Sequence, residues 1–249
     1  MISLLLLALL SFSVGLIGFV LGGGFGTILT PLLILLGFDP ILAVFLVLTA
    51  QFFGETVAMI LHHVVGNANF NHGSSDTKHG LVLGVCGVVG IVGVIVALSV
   101  GEVILVVYNA SILLLLGSLV LFAKPPNTNR LSLRKVMFIG SLASINKALT
   151  GGNYGPTILA GSILLGGDVK RTIAIISMAE TVACGVAVLG YMMSGVMIGL
   201  DVLIFAIVGT VLSVFPSVLF VKRTPNNKLK KFVGSLMVIL GLLLLLRTF

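Results

Sequence analysis

The chain has 249 residues and a mass of 25.9 kDa, of which 58% are hydrophobic and 8% charged. In a soluble domain roughly a quarter of all residues are charged. This composition therefore excludes a water-soluble enzyme and predicts a polytopic membrane protein. The net charge of +7 comes from basic residues in short segments between apolar runs, which excludes a nucleic-acid-binding face and any nucleic-acid partner.

Ten apolar segments follow one another along the chain and predict an all-α fold. Eight are long enough to enter or cross a bilayer, which takes about 20 helical residues, and two are too short to span it. The first segment has no basic residue before it, so we expect it to be a helix and not a cleaved signal peptide. The segments are 3–21, 27–37, 40–65, 80–100, 102–123, 133–150, 156–166, 169–193, 197–221 and 229–246.

Each of the two short segments follows a glycine-rich cluster, at residues 22–26 and 151–156. A helix break in hydrocarbon leaves backbone groups that must be buried in protein or line a polar cavity. The N-terminus of the half-helix after each break carries free amides and positive dipole charge, which suit an anion. We therefore predict a substrate site between the breaks. The alternative is that these glycines only permit close helix packing.

The two clusters belong to an internal repeat. A shift of 129 positions aligns residues 22–66 with residues 151–195 without a gap and gives 12 identities in 45 positions. Chance gives roughly four for this composition. The identical pairs include Gly23/Gly152, Gly26/Gly155, Gly37/Gly166, Asp39/Asp168 and Gly66/Gly195.

The charges of the loops predict that the repeat is inverted. If each break joins a segment that enters the membrane to one that returns, the basic segments 124–135, 167–171 and 222–231 all fall in the cytoplasm. Asp39 and both termini then fall outside. The predicted organisation is a first transmembrane repeat at 1–123, a basic cytoplasmic linker at 124–135 and an inverted second repeat at 136–249, as in many secondary transporters.

The candidate substrate ligands lie at the breaks. Lys147 precedes the second break within a span, where charges are costly and usually functional, and it could hold an anion. The alternative is an ion pair with Glu55 or Glu180. The predicted substrate-binding residues are Gly23, Gly24, Phe25, Gly26, Lys147, Gly152, Asn153, Tyr154 and Gly155.

Three residues in the long helices after the short segments are candidates for coupling. Gln51 and Glu55 are one turn apart on one helix face, and Glu180 occupies the repeat position of Gln51. A carboxyl group buried in a span can carry a proton. A structural role, as a partner for Lys147 or for the loosened backbone amides, is the alternative.

Other reactive side chains carry weaker signals. Cys184 occupies the repeat position of Glu55 and would lie near a central cavity, either as a thiol contact for a sulfur substrate or as a small core residue. His62 and His63 precede a loop with two more histidines, and a solvated loop is favoured over a pH sensor or metal site. Asn109 fits a glycosylation sequon within an apolar span and is not expected to be one. We expect no metal and no cofactor.

In these residues the sequence resembles the TauE/SafE family of sulfite and organosulfonate exporters. The segment from Gly22 to Pro31 is similar to that family's glycine-triplet and proline motif, and the segment from Gly151 to Thr157 looks like its glycine, tyrosine and proline version. The resemblance covers nearly the whole chain. It implies a transporter that moves small sulfur-containing anions outward across a plasma membrane.

The sequence thus predicts a secondary transporter that exports sulfite or an organosulfonate by alternating access, with proton coupling as one mechanism. The alternatives are a passive anion channel whose breaks form a filter and a transporter of another small anion. The expected partners are the small anion and the lipid bilayer, and the sequence is compatible with a homodimer.

Overall fold

A computed structural model describes residues 3–89, 102–122, 132–150 and 152–248. Within these ranges the chain is helical and contains no strand, so the predicted all-α fold is confirmed. The helices are α1 (Leu4–Val20), α2 (Phe25–Leu35), α3 (Pro40–Val64), α4 (Ser75–Val85), α5 (Glu102–Phe122), α6 (Leu133–Thr150), α7 (Tyr154–Leu164), α8 (Val169–Met193), α9 (Leu200–Arg223) and α10 (Asn226–Thr248), and a 3₁₀ turn (Cys86–Val89) follows α4.

Four of the described helices are long and apolar enough to cross a membrane, namely α3, α8, α9 and the part of α10 up to Leu246. Large apolar side chains on the outside fit contact with lipid, since Leu5 is 66%, Phe122 81% and Leu246 76% exposed. The protein is therefore a multi-pass membrane protein.

The helix boundaries follow the predicted repeat. The first and last residues of α7 lie 129 positions after those of α2, and the same shift relates α8 to α3. Asp39 and Asp168 cap the N-termini of α3 and α8 with their carboxylates. Gly37 and Gly166 follow the two short helices at φ values of 89° and 85°, where a residue with a Cβ is strained.

Both short helices begin two residues earlier than the sequence indicated, at Phe25 and Tyr154 and not after the last glycine of each cluster. A glycine in the first turn of a helix weakens it little, because the amides of that turn have no intrahelical acceptor in any case. The breaks are consequently shorter than predicted.

The long helices of the two repeats run in opposite directions. The Phe45 ring of α3 lies 6.1 Å from the Tyr191 ring of α8, and a Cβ placed on Gly185 would lie 3.0 Å from the Phe52 ring. Residues later in α3 thus contact residues earlier in α8, so the two helices are antiparallel. This arrangement is the one expected of an inverted repeat.

One face of the molecule gathers several basic loops, and we call it the basic face. The Lys170 ammonium donates to the Lys222 carbonyl at 2.7 Å, and the Lys222 ammonium donates to the carbonyl of Val65. Arg171 Nε lies 2.6 Å from the Asp76 carboxylate. The end of α3 and the starts of α4 and α8 therefore share this face. That it is cytoplasmic remains a prediction, and residues 124–131 of the predicted linker lie outside the described residues.

Each short helix is embedded in its own apolar cluster. Phe25, Leu29 and Leu33 of α2 pack against buried residues of α1 and α3. Tyr154 and Ile158 of α7 belong to a second cluster, which extends to α8 and α10. The helix that follows each break is thereby anchored in a separate apolar cluster.

Candidate functional site

The two glycine breaks contact each other directly. A Cβ placed on Gly155 would lie 1.2 Å from the carbonyl oxygen of Gly22, and a Cβ on Gly152 would lie 2.1 Å from the Thr27 hydroxyl. The backbones can approach this closely only because neither residue has a side chain. The predicted convergence of the two breaks is therefore present in the structure, and we call this contact the crossing.

At the first break the chain turns sharply between α1 and α2. The Gly24 amide donates to the Gly18 carbonyl at 3.1 Å, and a Cβ on Gly18 would lie 2.7 Å from the Phe25 backbone nitrogen. Phe25 and Gly26 are buried at the start of α2. In this conformation the amide of Gly24 already has a protein acceptor.

At the second break Asn153 adopts the left-handed conformation with φ 62°, uncommon for a residue other than glycine. Its amide donates to the Thr27 hydroxyl at 3.2 Å, and its side-chain Nδ2 donates to Asn109 Oδ1 of α5. The Thr157 hydroxyl donates to its carbonyl at 2.7 Å. Asn153 is therefore tied to three elements at once. Gly151 lies outside the described residues.

Lys147 and Glu180 form a buried ion pair beside the crossing. Glu180 is completely buried, and 24% of the Lys147 side chain is exposed. The Lys147 ammonium lies 5.2 Å from the centre of the Tyr154 ring, and a Cβ on Gly23 would lie 2.7 Å from Glu180 Oε1. The pair therefore touches both breaks.

Tyr154 is held by its hydroxyl as well as by its ring. The hydroxyl donates to the Leu83 carbonyl at 2.7 Å, and the side chain is 1% exposed. It fixes the start of α7 against α4 and places the electron-rich ring face toward Lys147.

The coupling candidates converge on the same point from α3 and α8. Glu55 is completely buried and interacts electrostatically with Glu180 and Lys147. Among the described residues neither Glu55 oxygen accepts a hydrogen bond of standard geometry, although Ser177 and Gln51 lie beside it. Two carboxyl groups and one ammonium thus share one buried cluster, which holds an excess of acidic groups.

Cys184 also belongs to this cluster, since its thiol lies 3.6 Å from Glu180 Oε2. It is buried, and its neighbour is an acidic oxygen. His62 and His63 lie away from the cluster at the basic face, where the ring of His62 is hydrogen-bonded to Asn67 at 2.8 Å and the ring of His63 accepts from the Phe70 amide at 3.1 Å. Both rings hold the loop after α3.

The structure adds polar residues that the sequence analysis did not select. Thr27, Asn109, Asn146 and Thr157 gather around Asn153, with Asn146 Nδ2 donating to Thr157 Oγ1 at 2.9 Å. The sequence did contain a signal for Asn109 and Asn146, because a polar side chain within an apolar span usually has a polar partner inside the protein. Asn109 was considered only as a glycosylation site.

Comparison with protein-family models gave a match over residues 7–244 to the family described as sulfite exporter TauE/SafE. A comparison with curated proteins gave no match.

Proposed function

The chain belongs to the sulfite exporter TauE/SafE family, and from that membership we propose that it exports a small sulfur-containing anion, sulfite or an organosulfonate, across the plasma membrane by alternating access. The observation that carries this proposal is the crossing, where Gly155 lies against Gly22. Two breaks from oppositely oriented repeats meet there, at the position that secondary transporters use for substrate.

The closed crossing supports alternating access over a passive channel. Gly23, Gly24, Phe25 and Asn153 are all buried, and the backbones are in van der Waals contact. A substrate can enter only if one repeat moves relative to the other. Such a movement opens the crossing to one membrane face at a time.

Lys147 is the proposed charge partner of the anion. In this conformation Glu180 neutralises it, so an arriving anion competes with Glu180 for the ammonium. Amides at Gly23, Gly24, Phe25 and Gly26, and at Gly152, Asn153, Tyr154 and Gly155, complete the proposed site once the crossing opens.

Release of Glu180 from Lys147 provides the proposed route to proton coupling. An ionised carboxylate without a partner in a buried site is costly, so Glu180 takes up a proton when the anion displaces it. Glu55, beside it with Gln51, is the neighbouring group to which the proton can pass. Anion binding and proton uptake are then linked through one buried cluster.

The test is sulfite flux in proteoliposomes with and without an imposed proton gradient. Wild type is expected to show saturable flux that depends on the gradient. In the charge-neutral variant Lys147→Gln/Glu180→Gln we expect at least a tenfold loss of flux. Lys147→Ala alone is a poor test, because it leaves Glu180 buried without its cation and destabilises the protein.

Glu55→Gln is the matched test of coupling, since it keeps the shape of the side chain. We expect sulfite exchange to continue while its dependence on the proton gradient disappears. Saturable flux at the wild-type level in the double variant would refute the role of Lys147. Non-saturating flux that ignores the gradient would favour the channel, and flux of carboxylates without sulfite flux would favour another anion.

A further inference from the structure

Two cavities approach the crossing from opposite halves of the molecule. The α2 cavity, of about 230 Å³, is lined by Thr27, Ile28, Leu32 and Leu35 of α2, by Leu113 of α5 and by Leu243 of α10. The α7 cavity, of about 520 Å³, is lined by Thr157, Gly161 and Leu164 of α7, by Leu116 of α5, and by Arg134 and Lys135 of α6 at the basic face.

The two cavities are equivalent under the repeat. Ile28, Leu32 and Leu35 in the first correspond to Thr157, Gly161 and Leu164 in the second after a shift of 129 positions. Each cavity extends along one short helix away from its break, and α5 contributes a wall to both. Both cavities are lined mainly by apolar side chains.

Asn153 is hydrogen-bonded to a lining residue of each cavity. Its amide donates to Thr27, which lines the α2 cavity, and its carbonyl accepts from Thr157, which lines the α7 cavity. Its side chain points to Asn109, one turn before the α5 residue that lines the α2 cavity. Asn153 and its hydrogen bonds therefore connect the linings of the two cavities.

The side chain of Asn153 also has an unused acceptor. It is completely buried, and within the described ranges its Oδ1 has no hydrogen-bond partner. A buried acceptor without a donor is costly, as is the left-handed backbone of this residue. The first repeat has glycine at the equivalent position, Gly24, which adopts a different conformation without strain. Both costs at one position indicate a role in binding.

We propose that Thr27, Asn109, Asn153 and Thr157 form a binding site between the two cavities for an oxyanion that carries a single charge and one hydrogen. This inference rests on the proposed export function and specifies the form in which sulfite is carried. The Thr27 hydroxyl and the Nδ2 groups of Asn109 and Asn153 donate to the anionic oxygens, Thr157 holds the Asn153 carbonyl, and Asn153 Oδ1 accepts from the hydrogen of the substrate. Hydrogen sulfite has this combination, whereas an alkyl sulfonate has the charge but not the hydrogen.

The charges around the site favour a monoanion. Its four side chains are neutral, and the nearby Lys147, once released from Glu180, supplies a single positive charge. The desolvation cost of an ion rises with the square of its charge, so a dianion costs roughly four times as much as a monoanion. The site is thus expected to exclude sulfate and fully ionised sulfite.

The experiment measures the affinity of the purified full-length chain for sulfite, methanesulfonate and sulfate from mildly acidic to mildly alkaline pH. Above the second ionisation of sulfurous acid, the affinity for total sulfite is expected to fall by about tenfold per pH unit. Methanesulfonate keeps its single charge throughout, so any change of its affinity with pH comes from the protein, including the proposed proton uptake on anion binding. It is therefore the control, and the fall of about tenfold per pH unit is expected in the ratio of sulfite to methanesulfonate affinity. Sulfate should not bind.

Asn153→Gly removes the acceptor, and glycine tolerates the left-handed backbone. We expect about a tenfold loss of sulfite affinity, the size of one hydrogen bond, with a smaller loss for methanesulfonate. Asn71→Gly, in the exposed loop of the basic face, is the matched control and should change neither affinity.

The outcomes separate this inference from the proposed function. If the wild type binds and transports sulfite with an affinity that does not change with pH, or if Asn153→Gly leaves the ratio of sulfite to methanesulfonate affinity unchanged, the inference is wrong while the export function stands. If neither anion binds or is transported, both are wrong.

Discussion

Gly155 shows how one residue determines the centre of the molecule. A Cβ on Gly155 would lie 1.2 Å from the Gly22 carbonyl oxygen. The two repeats can therefore come this close at the crossing only because residue 155 has no side chain. Gly152 likewise permits a close contact with the Thr27 side chain, since a Cβ at position 152 would lie 2.1 Å from the Thr27 hydroxyl. These glycines are required by a contact between distant parts of the chain and not by local helix propensity.

Gly155→Ala is expected to unfold the protein or displace α7, because its Cβ would lie 1.2 Å from the Gly22 carbonyl oxygen. We expect a destabilisation above about 4 kcal/mol, as for other severe overpacking. The measurement is the melting temperature in detergent. Gly190→Ala is the control, since it lies in α8 with no atom within 4 Å of its Cβ position, and alanine there should stabilise the helix by about 0.5–1 kcal/mol. Equal melting temperatures of the two variants would contradict the close contact of Gly155 with Gly22 at the crossing.

Helices α5 and α10 pack through small residues. A Cβ on Gly117 would lie 2.9 Å from the Gly234 carbonyl, and a Cβ on Gly241 would lie 3.0 Å from the Ala110 carbonyl. Backbones approach this closely in membranes when small residues form the interface. Because α5 carries Asn109, this packing sets the distance of that side chain from Asn153.

Gly117→Val is expected to push α5 away from α10 and to weaken the contact of Asn109 with Asn153. A loss of about 1–3 kcal/mol of stability follows from the overpacking, together with a loss of anion affinity. Both are measured on the same purified sample, by thermal unfolding with and without sulfite. Leu242→Val, on the half-exposed side of α10, should leave both nearly unchanged. Normal sulfite affinity in Gly117→Val would show that α5 does not position the site.

At the scale of the whole molecule, the basic face predicts how the chain lies in the membrane. Lys170, Arg171 and Lys222 all lie on it, where Lys222 binds the carbonyl of Val65 at the end of α3 and Arg171 binds Asp76 at the start of α4. Positive residues are retained on the cytoplasmic side. The structure brings these loops to one face, and the assignment of that face to the cytoplasm stays a prediction, as do the external termini and the homodimer.

A cysteine in place of exposed His72 should react with a membrane-impermeant thiol reagent only from the cytoplasmic side. A cysteine in place of exposed Ser194, at the opposite end of α8, should react only from outside. The measurement compares intact cells with inside-out vesicles. The unmodified chain is the control, because Cys86 and Cys184 are both buried and should give little background. Labelling of position 72 in intact cells would show that the orientation is the reverse of the predicted one.

Much of the fold could be read from the sequence because its signals are local or periodic. Apolar runs of bilayer length identify the membrane class, and the 129-residue shift anticipates the ends of α7 and α8 from those of α2 and α3. Asp39 and Asp168 are an identical pair of the repeat, and the structure shows that each caps the N-terminus of a long helix. The sequence also selected Lys147, Glu55 and Glu180, since charges within apolar spans are rare.

The site itself required the tertiary structure. The sequence left Lys147 with three possible partners, and only the tertiary structure, which brings the Lys147 side chain of α6 to Glu180 of α8, decides that Glu180 is the partner and Glu55 the neighbour. Asn109 becomes relevant only because α5 lies beside the second break. The opposed cavities likewise depend on helices far apart in the chain. The membrane class, the all-α fold and the 129-residue spacing of the repeat were therefore determined by the sequence alone, because apolar runs and repeated motifs are read along the chain. The crossing, the ion pair and the Asn153 contacts were decided by tertiary packing, because each joins residues whose sequence separation carries no signal of their contact.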